Sequence, residues 1–87
     1  MASRKTLKKS VKSIAQELLS DLVALSLTGD ADRERLAALA ARTVAMEKDF
    51  VARISHAEPG NVPYFFKKLR ADFEREANAV AAEIVTL

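Results

Sequence analysis

The sequence predicts an all-α fold, an antiparallel three-helix bundle, from three observations. Apolar residues recur at steps of three and four in three long segments. The two glycines and two prolines lie between those segments or in their first turns. The connections are short, so helices adjacent in sequence should lie antiparallel. At 87 residues the chain has room for one domain, and residues 1–87 are read as a single helical domain. A domain of this size buries roughly 60–65% of the surface its unfolded chain exposes, enough for one modest core.

Helix 1 is expected over about residues 6–27. Its stripe is Leu7, Val11, Ile14, Leu18, Leu22 and Leu25. Gly29 supplies the stop, because glycine takes the left-handed conformation that ends many helices. Asp30 is the expected cap of the next helix, with Asp32 and Glu34 in its first turn, where the helix dipole favours negative charge.

Helix 2 is expected over about residues 31–55, with the stripe Leu36, Leu39, Thr43, Met46 and Phe50. Ala40, Val44, Val51 and Ile54 widen it. Five alanines between Leu36 and Ala45 (Ala37, Ala38, Ala40, Ala41 and Ala45) favour helix and leave space for a close neighbour. Thr43 can return its hydroxyl to a carbonyl one turn earlier, so its place in the stripe does not require a function. The run Glu58-Pro59-Gly60-Asn61 reads as a tight turn, with Asn61 capping helix 3 and Pro63 in its first turn. Helix 3 is expected over about residues 62–85, with Phe66, Leu69, Phe73, Ala77, Val80 and Ile84 as its stripe.

Composition narrows the function classes. There is no cysteine, which excludes disulfides, thiolate metal sites and a cysteine nucleophile and is compatible with a cytoplasmic setting. The most apolar run, Ile14 to Leu27, is too short to span a bilayer and contains Gln16, Glu17 and Asp21. The same acids spoil a secretory signal. Residues 1 to 16 have the lysine- and serine-rich, acid-free composition of a transit peptide, but the helical pattern runs through them into the rest of helix 1.

Two features could carry function. The first is a basic cluster: Arg4, Lys5, Lys8, Lys9 and Lys12, with no acid in the first twelve residues. These side chains span about 140° of the helix, opposite Leu7, Val11, Ile14 and Leu18. The rest of the chain has nine basic and twelve acidic residues, a net charge of −3, so the whole positive balance comes from this segment. Positive charge at a helix N-terminus opposes the macrodipole. The cluster can contact phosphates of nucleic acid, anionic lipid or an acidic protein face; it can equally be a solvated, partly frayed end. No aromatic residue interleaves the lysines, so base stacking is unsupported, and a membrane-surface helix would want tryptophan or phenylalanine there.

The second feature is surplus apolar surface. Leu18, Leu19, Leu22, Val23 and Leu25 cover about half of helix 1, with Leu27 beyond, where docking on one side needs a stripe of about 100°. The alanine face of helix 2 and the pair Phe65/Phe66 add to it. Leu19, Val23, Leu27, Ala37 and Ala41 are the candidate interface of a homodimer or a protein partner; a generous core is the other reading.

Nothing else points to chemistry. His56, the sole histidine, lies at the end of helix 2, where it can favour the last carbonyls and the dipole. No nucleophile or orienting partner is placed beside it. Glu17/Asp21 and Asp72/Glu76 lack the Glu-x-x-His companion of a di-iron bundle. Asp49/Arg53, and Asp72/Glu76 with Lys68 and Arg75, look like exposed helix ion pairs. Tyr64, Phe65 and Phe66 could line a small pocket, though such clusters more often close the end of a bundle. No catalytic, cofactor or metal residue is assigned, and no small-molecule substrate is evident.

The opening Ser3-Arg4-Lys5-Thr6-Leu7-Lys8-Lys9, followed by Val11 and Ile14, resembles the start of a family of short, uncharacterised all-helical bacterial proteins with a basic N-terminal helix. The segment Tyr64-Phe65-Phe66-Lys67-Lys68-Leu69 is similar too. The resemblance covers most of the chain and implies a bacterial, cytoplasmic setting and an all-helical fold. It carries no activity and no functional residue. The expectation is therefore a non-enzymatic helical interaction module, self-associating or binding a protein partner. The alternative is a nucleic-acid-associated protein that uses its basic helix face on phosphates.

Overall fold

In the computed structural model, residues 4–56 and 62–87 are described. Three helices account for nearly all of them: α1 Arg4–Thr28, α2 Arg33–Ser55 and α3 Val62–Val85. They form the expected all-α bundle, a rod of 48 × 19 × 18 Å with a radius of gyration of 14.5 Å. The turn read at residues 58–61, including the cap at Asn61, lies outside the described residues.

Side-chain contacts fix the direction of each helix. Arg35 Nη2 donates to Thr86 Oγ1 at 2.7 Å, Arg42 pairs with Glu83, and the Phe50 and Phe73 rings meet at 5.2 Å. As α2 advances its partners on α3 recede, so these helices are antiparallel. Leu7, Val11 and Ile14 share a cleft with Leu69 and Phe73. The start of α1 thus lies beside the start of α3, and the four-residue link 29–32 turns α2 back along α1, so α1 is parallel to α3 and antiparallel to α2. The contact between α1 and α2 is the most extensive of the three.

The core largely follows the predicted stripes. Leu36, Leu39, Thr43, Met46 and Phe50 of α2 are all buried, as are Leu69, Phe73, Ala77 and Val80 of α3. Phe66 and Ile84 are only half-buried. The Thr43 hydroxyl donates to Leu39 O at 2.7 Å, so this buried oxygen is satisfied inside its own helix.

In α1 the stripe is corrected at one position. Ala15, fully buried, takes the core place expected for Ile14, which is 37% exposed. Residues 14 and 15 both lie three or four from Val11 and Leu18, so either continues the helical period. The docked orientation of α1 turns the Ala15 methyl into the core and leaves the Ile14 side chain at its edge.

The cap of α2 is also corrected. α1 ends at Thr28, and Gly29 has φ of +79°, which any other residue would adopt under strain. The N-cap is Asp32, not Asp30. Asp32 Oδ1 accepts from the backbone N–H of Glu34 at 2.9 Å and, more weakly, of Arg35 at 3.5 Å. The physical reason lies in Ala31. With the cap at Asp32, Ala31 precedes it and packs on the core that holds Leu36, four residues into the helix, as a hydrophobic staple does. With the cap at Asp30, those two positions would fall to Gly29 and Glu34. Asp32→Ala should therefore lower stability by about 1 kcal/mol, or roughly 4–8 °C in Tm. Asp30→Ala should change it by less than about 0.5 kcal/mol. Thermal melts of the two variants would decide between the caps.

At the far end of α2 the backbone N–H of His56 donates to Ala52 O at 3.0 Å, while the residue itself is exposed. Pro63 falls in the first turn of α3, as expected.

Candidate functional site

On α1 the core stripe is Leu7, Val11, Ala15, Leu18 and Leu22. Lys8, Lys12, Leu19 and Val23 sit about 80–140° round the helix from Leu18 in one sense, at about 100° per residue. Ser10 and Ile14 sit on the other side of the stripe, and they line the cleft with Leu69, Arg70, Phe73 and Glu74 of α3. The first group therefore lies on the flank away from α3.

α2 divides in the same way. Arg35 and Arg42 reach across to Thr86 and Glu83 and mark the flank towards α3. Ala37, Ala41 and Lys48 lie about 120–160° from Thr43 in the opposite sense. Because α1 and α2 are antiparallel, the start of α2 runs beside the end of α1. The candidate residues Leu19, Val23, Ala37 and Ala41 thus share one end of one face, the outer side of the α1/α2 pair, and Leu27, about 180° from Leu18, lies at its margin on the back of α1. Val23 and Leu27 are 58% and 82% exposed, Ala37 and Ala41 are exposed, and Leu19 is half-buried against the core.

The opposite end of that face is basic. Arg4, Lys5, Lys9 and Lys12 are exposed and Lys8 is half-buried. Lys48 joins them from α2, a contribution that the N-terminal cluster alone did not suggest and that only the antiparallel register brings close. Apolar and basic groups thus occupy the two ends of one continuous strip. The two signals, separate in the sequence, share a surface.

The remaining predicted features are accounted for structurally. Arg53 pairs with Asp49, at 2.8 Å and 3.2 Å, and places its guanidinium 4.7 Å from the Phe50 ring centroid. Arg75 pairs with Asp72; among the described residues Lys68 and Glu76 form no ion pair. A cleft of about 330 Å³ between α2 and α3 contains Arg42, Arg53 and Arg75. Each of these arginines is already matched to a carboxylate, so their charge is not available to an anion. Phe65 and Phe66 meet edge to face at 5.4 Å, half-buried at one end of the bundle, and Tyr64 is exposed. Among the described residues Glu17 and Asp21 form no ion pair, and no group of three histidine or acidic side chains is arranged to hold a metal. Among the same residues no helix is long and apolar enough to cross a membrane.

Compared with protein-family models, curated proteins and solved structures, the chain gives no significant match.

Proposed function

We propose that this protein is a non-enzymatic helical interaction module that associates with a second copy of itself through the apolar end of the outer α1/α2 face. The observation that carries this reading is the convergence of Leu19, Val23, Ala37 and Ala41 on that one surface, with Leu27 at its margin. Its two halves differ in relief. α1 contributes projecting side chains, Val23 and Leu27, while α2 contributes the flat alanine floor of Ala37 and Ala41. Such a surface is self-complementary: the projections of one copy seat on the floor of the other, and the two-fold operation repeats the contact. The result is a four-helix arrangement of two α1/α2 pairs. Placing the two-fold axis at the apolar end directs the two basic ends away from each other, so their repulsion does not oppose association.

The test is solution mass by light scattering over a wide concentration range and at two salt levels. A dimer that changes little with salt is expected, since apolar contact is not screened. Val23→Glu should give a monomer with unchanged helicity, because burying an unpaired carboxylate at the interface is strongly unfavourable. A wild-type protein that stays monomeric at every concentration would sink the reading.

A further inference from the structure

We propose that the first three turns of α1 bind the phosphate backbone of double-stranded nucleic acid, without reading base sequence. The inference does not depend on self-association, because this surface lies at the end of the strip away from Val23 and Leu27.

The charge there is concentrated, and four lysines carry most of it. The first acidic residue of α1 is Glu17. All three ion pairs among the described residues lie within or between α2 and α3. Lys5, Lys8, Lys9 and Lys12 have no hydrogen-bond or ion-pair partner among the described residues. The macrodipole of α1 adds a partial positive charge at the same end. Side chains and backbone therefore reinforce one another at this end, while the rest of the chain is net negative. A molecule polarised in this way is steered end-on towards a polyanion.

Hydroxyl groups beside Lys9, on the flank of α1 towards α3, bear on the kind of polyanion. Thr6, Ser10 and Ser13 share a shallow groove with Lys9. Hydroxyls and ammonium groups together are the side chains that position proteins on phosphate oxygens. Of the large apolar residues of this half, Leu7 and Val11 are buried in the core. Ile14, 37% exposed in the same groove, is the one large apolar side chain in the first three turns of α1 that reaches solvent, and a single such residue gives an interfacial membrane helix little to insert. α1 itself carries no aromatic ring, so its lysine rows offer unstacked bases no stacking platform; Tyr64 is exposed at the same end but belongs to α3. The backbone of a duplex fits: closely spaced phosphates, contacted along one line. Lys5/Lys9 and Lys8/Lys12 form two rows with a rise of about 6 Å between members.

The test is fluorescence anisotropy of a labelled, random-sequence DNA duplex of about 20 base pairs, titrated with the full chain between 50 and 200 mM salt. With about four phosphates neutralised, affinity should fall roughly 150-fold across that range. The K5Q/K9Q/K12Q variant should bind more weakly at every salt concentration and lose only about 3- to 12-fold over the same range. These side chains are exposed and oppose the helix dipole, so the variant should melt no lower than wild type; a lower melt would be answered by repeating the titration with K9Q alone, which should remove about one unit of salt slope. Absent duplex binding, or binding that the substitutions leave unchanged, would overturn the proposal. So would binding to phosphatidylcholine vesicles containing about one-third phosphatidylserine with none to the duplex.

Discussion

Phe50→Ala is expected to lower stability by about 3–5 kcal/mol. The ring is 2% exposed and meets Phe73 edge to face, at 5.2 Å between centroids and 71° between planes. The Arg53 guanidinium lies 4.7 Å from its centroid. Truncation removes the transfer free energy of the ring, the aromatic pair and the cation–π contact together, and it leaves a void where α2 meets α3. A chain of this length has a total stability of roughly 4–13 kcal/mol, so the variant should sit near its unfolding midpoint in plain buffer. Phe50→Leu, which retains most of the volume, should cost about 1–1.5 kcal/mol. Urea titration followed by circular dichroism reads both. A loss below about 1 kcal/mol for the alanine variant would mean that the ring does not pack in the core.

The second large effect is the inverse of what hydropathy suggests. Ala15→Leu adds apolar volume at a fully buried position, and it should destabilise by about 1–3 kcal/mol. Ile14→Ala removes apolar volume one residue away, and it should cost less than about 1 kcal/mol because Ile14 is 37% exposed. The contrast arises because Ala15 is fully buried, so three more carbons would have to displace its neighbours. The same urea titrations would show it. If Ala15→Leu matched or exceeded wild type while Ile14→Ala fell by several kcal/mol, the rotation of α1 described above would be wrong.

These two positions show where sequence reasoning reached and where it stopped. The fold class and the stripes of α2 and α3 follow from periodicity, because a period of 3.6 with glycine and proline at the boundaries leaves few alternatives. At residues 14 and 15 the period cannot choose, and the choice was made by how α1 seats in the bundle, a property of the packed structure. The cap was decided similarly: Asp30 and Asp32 are chemically equal, and the seat of Ala31 on the core separates them. The candidate surface was legible by residue type but not as a surface. Lysines in the first twelve residues and leucines further along α1 become parts of one strip only when the helix is rotated to its docked orientation. Lys48 belongs to that strip solely through the antiparallel register of α2.

The extensive packing of α1 on α2 also bears on how the chain folds and opens. The two helices are joined by the four residues 29–32, so their contacts form at little loop-closure cost and are local in sequence, the condition for fast assembly. α3 makes thinner contact with both partners. It is the element expected to join last and to detach first in a sub-global opening, the behaviour of a separate cooperative unit. Every residue assigned here to an interaction surface belongs to the α1/α2 hairpin. Transient departure of α3 would therefore expose core while leaving both ends of the strip in place, and recognition could outlast a fluctuation that removes a third of the bundle.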